Sequence, residues 1–118
     1  TTTDATRIWL VSHGTVREAK VDAVQLGIAR AARGDLTGGG ADTNAAAVRG
    51  VLAGERGSIR DAAVINAAAA IAVYRGFGDA APSDSELHDA LRRAVTDAEA
   101  AIDTGAARRV LSTWVGGG

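Results

Sequence analysis

Cysteine is absent from this chain of 118 residues. That absence removes disulfides, thiolate zinc sites and a cysteine nucleophile together. It fits a reducing compartment, so a cytoplasmic location is the expectation. Aromatic side chains are scarce, at 3%. Alanine supplies much of the 47% hydrophobic content, and large apolar groups for burying a core at ~25 cal/mol per Å² are few. Positive excess is lacking as well: the formal net charge is −1, and Lys20 is the only lysine. Without a basic track to neutralise phosphates, a nucleic-acid partner is disfavoured. No apolar run reaches the roughly 20 residues needed to span a bilayer, and no signal-peptide pattern is present, so no membrane contact is expected. The first residue is Thr1, not methionine, and the expectation is a fragment, processed or truncated.

What is abundant is alanine and glycine, and they concentrate between Gly38 and Tyr74. A three-glycine turn (Gly38-Gly39-Gly40) leads into two helical patterns joined by Gly54-Glu55-Arg56-Gly57. The second, from about Ile59 to Tyr74, has Asn66 as its one polar side chain after Ala62. A helix apolar all round is enclosed by protein on every side, so an alanine-rich buried central helix is expected. Asn66 on it must then find hydrogen-bond partners.

Upstream, residues 7–12 are β-branched and aromatic, a strand with both faces at least partly covered. After His13-Gly14-Thr15, Ala19, Val21 and Ala23 alternate with Glu18, Lys20 and Asp22, which is a strand with one wet face. The two pair as an antiparallel hairpin. Residues 29–37 read as an irregular connector. Asp42 or Thr43 caps a helix ending near Ala53, and Ser58 with Asp61 resembles a capping box. Ser83 with Glu86 forms a second one, opening a helix whose stripe is Leu87, Leu91, Val95, Ala98 and Ile102. A last helix places Ala107, Val110, Leu111 and Trp114 on one face. Gly116-Gly117-Gly118 reads as a frayed or cut tail. Strand, strand, then four helices argues for α+β, or for the end of an α/β domain. The divisions are 1–28 hairpin, 29–42 connector and glycine turn, and 43–115 helices.

Four features invite chemistry, and each has a structural alternative. The glycine turn ahead of a helix could cradle phosphate, but Ala41 stands where a phosphate loop needs lysine, and Asp35-Leu36-Thr37 is no strand for a dinucleotide fingerprint. A flexible entry to the helix is the other reading. His13 and His88 have no ligand partner at metal spacing and read as surface histidines. Asp79, Asp84, Glu86, Asp89, Asp97, Glu99 and Asp103 spread along helical turns as a solvated face, with Asp84 and Glu86 suiting a helix N-terminus. Asp61 and Asn66 could orient a neighbouring loop or serve a site. None of these makes a self-sufficient active site, and no catalytic, substrate-binding or metal-binding residue is expected.

A resemblance enters with the run Leu36-Thr37-Gly38-Gly39-Gly40-Ala41-Asp42-Thr43-Asn44-Ala45 and its continuation Ala47-Val48-Arg49-Gly50-Val51-Leu52-Ala53-Gly54-Glu55-Arg56-Gly57. It is similar to the anthranilate phosphoribosyltransferase pattern L-x-G-G-D-A-x-x-N-A-x-x-x-R-x-x-L-x-G-x-x-G. Arg60-Asp61 through Asn66-Ala67-Ala68-Ala69-Ala70 resembles the family's R-D-x-x-x-x-N-A-A-A-A, and Ala101-Ile102-Asp103-Thr104-Gly105-Ala106-Ala107 its A-I-D-S-G-A-A. Three collinear blocks extend the likeness over essentially the whole chain. Two positions depart: Gly40 replaces the aspartate of G-G-D, and Ala23 stands nearest a usual proline. His13-Gly14 is not the family's K-H-G-N histidine, whose place is far upstream.

The resemblance implies a magnesium-dependent transferase of tryptophan biosynthesis. It moves the phosphoribosyl group of phosphoribosyl pyrophosphate onto anthranilate. The pyrophosphate loop, K-H-G-N, the anthranilate-contacting arginine and the Asp-Glu metal pair all precede the matched region, so no catalytic residue carries over. What carries over is scaffold, with Asn44, Arg49, Asp61 and Asn66 as structural residues. The partners implied are the N-terminal part of the same enzyme and, for the parent, a second subunit in a homodimer. The alternatives are a non-catalytic helical interaction module, or part of a related phosphoribosyltransferase or nucleoside phosphorylase with another acceptor.

Overall fold

The computed structural model describes residues 2–78 and 80–116. Asp79 of the acidic set, Thr1 and the Gly117-Gly118 tail lie outside the described residues. Two strands, β1 (Thr6–Ser12) and β2 (Thr15–Val21), precede four helices: α1 (Ala41–Leu52), α2 (Ser58–Arg75), α3 (Asp84–Asp103) and α4 (Ala106–Gly116).

β1 and β2 pair antiparallel, with Ile8 opposite Ala19, Leu10 opposite Arg17 and Ser12 opposite Thr15. The turn holds only His13 and Gly14, and both take positive φ, 48° and 77°. A two-residue hairpin turn whose twist suits the strands needs that geometry at both positions. His13 is therefore placed by the turn. One face of the hairpin carries Ala19 and Val21 into the core with Ile8 and Leu10 beside them. The other keeps Trp9, Val11 and Val16 exposed. The expectation that β1 is covered on both faces is corrected, because alternation sends Trp9 and Val11 to the side away from the helices.

Two single turns of 3₁₀ helix follow, Ala23–Leu26 and Arg33–Leu36: the first takes Ala23, expected on the second strand, out of it, and the second makes the connector less irregular than its sequence suggests. Asp22 caps the first by accepting from the Val24 N–H (3.1 Å), and Asp35 accepts from the Ala32 N–H (3.0 Å) at the second. The Val24 bond and the Arg30 guanidinium together hold the Asp22 carboxyl below its usual range.

The core lies between α2 and α3. Val64, Ala68 and Ala72 pack with Leu87, Leu91, Ala94, Val95 and Ala98 in one cluster that also takes in Leu26 and Ile28. The stripe expected on α3 is the buried one. Its opening is also as expected: the Ser83 N–H donates to the Glu86 carboxylate (2.8 Å), and the Ser83 hydroxyl accepts from the Glu86 N–H. The Ser83 hydroxyl donates to the same carboxylate (2.7 Å) and holds its pKa below the usual value. Ser83→Ala removes the cap and is expected to lower stability by about 1 kcal/mol, read by urea unfolding. An unchanged midpoint would show that the cap contributes nothing.

α2 is central but enclosed on one side only. Arg60, Val64, Ala68 and Ala72 are buried, while Ala63, Asn66, Ala67, Ala70, Val73 and Tyr74 are exposed. Alanine is small enough to face either way, so an apolar sequence did not by itself mean enclosure. Two helix starts also differ from expectation. α1 begins at Ala41 with Gly40 as its N-cap, leaving Asp42 in the first turn, and α2 is capped by Gly57 with no side-chain bond. Ser58 spends its hydroxyl on Asp35 instead (3.2 Å), so the Ser58–Asp61 capping box does not form. Just past α1, which ends at Leu52 with Ala53 as its C-cap, Gly54 takes a φ of 95°, a left-handed stop open to glycine at little cost. α4 buries none of its residues, and Val110, Trp114 and Val115 stand in solvent.

Candidate functional site

The glycine turn enters α1 through Gly40, and Asn44 ties the two together. Its Oδ1 accepts from the Gly39 N–H (3.0 Å), and its Nδ2 donates to the Gly39 carbonyl (2.9 Å). The turn is crowded: a Cβ on Gly39 would lie 3.1 Å from Thr43, and one on Gly38 would lie 3.3 Å from Asn44 Oδ1. The Gly39 amide is thus already spent on a side chain. An amide bound internally is not offered to an anion, which removes part of the phosphate-cradle reading. Beside the turn, Leu36, Thr37, Val48, Leu52, Ile59 and Ala63 border an open apolar cavity of about 520 Å³ between α1 and α2.

The other candidates separate in space. His13 sits in the hairpin turn against the Ser12 hydroxyl (2.8 Å). His88 bridges α3 to the first 3₁₀ turn, Nδ1 at the Asp84 carbonyl (2.8 Å) and Nε2 at the Gln25 amide (2.9 Å). Both histidines therefore fasten turns, His13 with the exposed Ser12 hydroxyl as its neighbour.

Among the described acids, Asp84 and Asp97 pair with Arg17 and Arg75, and Asp89 approaches Arg92. Arg17 also donates to the Pro82 carbonyl, which binds the hairpin to the start of α3. Among the described residues, no three histidine, aspartate or glutamate side chains come together to hold a metal ion.

Of the four structural residues, Asn44 makes the contact just described. Asn66 is exposed, and its Nδ2 donates back one turn to the Ala62 carbonyl (2.7 Å). It is therefore not the buried polar group that its alanine neighbours suggested. Arg49 is exposed and Asp61 half-buried.

The ion pair with the most buried member is one the residue pattern did not single out. Arg60, 3% exposed, donates from both terminal nitrogens to Asp103, Nη1 to Oδ1 at 2.8 Å and Nη2 to Oδ2 at 3.1 Å. The Asp103 bonds raise the Arg60 pKa further, and the Arg60 bonds pull the Asp103 carboxyl below its usual 3.8. This two-pronged pair joins the first turn of α2 to the last turn of α3.

The pair also joins two of the sequence blocks that carry the family resemblance, and comparison with known proteins bears on the same blocks. A family profile described as "Glycosyl transferase family, a/b domain" matches residues 1–108. This chain belongs to that family.

Curated relatives agree with the assignment to the glycosyl transferase family. The chain is 50% identical over 115 residues to the anthranilate phosphoribosyltransferase of Salinispora arenicola (strain CNS-205), covering 98% of this chain and 31% of that protein. The corresponding protein of Mycobacterium leprae (strain Br4923) is 50% identical over 115 residues, with 98% and 30% covered. That of Nocardia farcinica (strain IFM 10152) is 45% identical over 117 residues, with 97% and 33% covered. The chain thus spans about a third of the length of these relatives. Among the described residues, no helix is long and apolar enough to cross a membrane.

Proposed function

We propose that this chain is the C-terminal scaffold of an anthranilate phosphoribosyltransferase. In this reading the whole enzyme transfers phosphoribosyl from phosphoribosyl pyrophosphate to anthranilate in tryptophan biosynthesis, in the cytoplasm and as a homodimer. Identity of 50% over 98% of the chain to proteins of that name supports it. The side chains described here bind one another: Asn44 to the glycine turn, Arg60 to Asp103, Ser83 to Glu86. Binding of both substrates, and the magnesium dependence, belong in this reading to residues outside the chain. The solvent-facing side of α2 then rests against the N-terminal part of the same enzyme.

A graft tests this directly. The matching 115 residues of the Salinispora arenicola protein are replaced by this chain, and loss of anthranilate fluorescence is followed with phosphoribosyl pyrophosphate and magnesium. The graft is expected to turn over, and the isolated chain to release no pyrophosphate. A folded graft without activity would overturn the assignment, and turnover by the chain alone would overturn the scaffold role.

A further inference from the structure

α1 and α4 border one groove without packing closely on each other. Between them is a groove of about 820 Å³, with Val48, Leu52, Leu111 and Val115 as its apolar floor. Val48 is 52% and Val115 74% exposed. Arg49 on α1 and Arg108 on α4 line the same groove. Among the described residues, neither guanidinium has an ion-pair partner. Arg7, Arg17, Arg30, Arg60, Arg75 and Arg92 each meet a carboxylate of the chain; among the described residues, Arg49 and Arg108 are two of the six that do not, and they share one groove. α4 itself contains Arg108 and Arg109 and no acid. An apolar channel with two unpaired cations on its walls, in a chain of net charge −1, is a local excess of one sign.

We propose that this groove is the docking site for an acidic amphipathic helix of a partner protein. Two helices of 12 and 11 residues form a trough suited to a third. A helix lays its apolar stripe into such a groove, and glutamates flanking the stripe would reach Arg49 and Arg108. Charge complementarity of this kind selects partners and speeds encounter. A second copy of this chain fits poorly. Its α4 would bring arginine to arginine, and on its α3 Asp84, Asp89, Asp97 and Asp103 are already engaged by its own arginines. This inference goes beyond the transferase assignment: the α1 wall with Arg49 falls inside the matched region, but no step of the transfer is placed on it.

The test uses the full chain and a fluorescein-labelled peptide of about 14 residues, roughly four helical turns, with leucines on one face and glutamates beside them. Saturable binding that weakens with added salt is expected. The double variant Arg49→Glu/Arg108→Glu should lose at least about tenfold in affinity and gain affinity for the lysine version of the peptide. Arg49→Lys/Arg108→Lys should keep most of the binding, and near-ultraviolet circular dichroism checks that each variant is folded. Equal binding of glutamate and lysine peptides, or none of either, would overturn the proposal. So would equal capture by phosphatidylserine vesicles, or self-association that the glutamate double variant abolishes.

Discussion

Arg60→Ala is expected to lower the stability of this chain by about 3 kcal/mol, since it deletes a buried guanidinium and two charge-assisted hydrogen bonds. Asp103→Ala should do more damage although Asp103 is the more exposed partner, with side-chain exposures of 46% and 3% for Asp103 and Arg60. Removing the carboxylate strands a buried cation, whereas removing the cation returns a half-exposed carboxylate to water. The double variant should then cost less than the sum of the two. Urea unfolding of the three variants checks the order, and Asp103→Ala milder than Arg60→Ala would refute it.

The pair also sets a pH dependence. The Asp103 carboxyl titrates below its ordinary 3.8 in the folded chain. Its contribution is therefore fully present above that value and is lost as pH falls through the lower, folded pKa. Arg60→Ala should flatten the acid limb of stability, while the Arg60 side of the linkage lies far above neutral pH.

The second large effect separates two adjacent alanines. Ala68 is 0% exposed, as is Ala94 on the facing helix, and at such contacts there is no room for a longer side chain. Ala68→Leu should cost about 2–3 kcal/mol by forcing α2 away from α3. Ala67→Leu, one residue earlier on the open side, should stay within about 0.5 kcal/mol. Thermal or urea unfolding distinguishes them. In the Salinispora graft, Ala67→Leu becomes costly as well if the N-terminal part of the enzyme covers that side. A neutral Ala67→Leu there would argue against that cover.

Much of this was legible in the residues because the signals are local. Alternation from Glu18 to Val21 gave the second strand, though not its end, since Ala23 already belongs to a 3₁₀ turn, and Ser83 with Glu86 gave the start of α3. The stripe from Leu87 to Ile102 gave its buried face. The Arg60–Asp103 pair was not legible in the same way, because its members lie 43 residues apart and meet only once α2 and α3 pack. A signal did exist: Arg60 continues the Val64–Ala68–Ala72 row backward by four residues, onto the buried face. Asn66 misled for the opposite reason. Alanine neighbours carry little information about burial, so the one polar residue among them looked enclosed when it faces water. Ser58 was misread because a serine ahead of a helix has two uses, and Asp35, 23 residues upstream, claims its hydroxyl.

The hairpin has a consequence of its own. Among the described residues the sheet has two strands, β1 and β2, and a two-stranded ribbon has outer margins open to further pairing and is marginal alone. Either margin can accept a further strand from its own polypeptide or from a stranger. Arg7, Glu18 and Lys20 break up the exposed row of Trp9, Val11 and Val16 with charge, which slows indiscriminate pairing. The same ribbon is thus both the place where a larger sheet would grow and the place where solutions of the isolated chain would first turn cloudy.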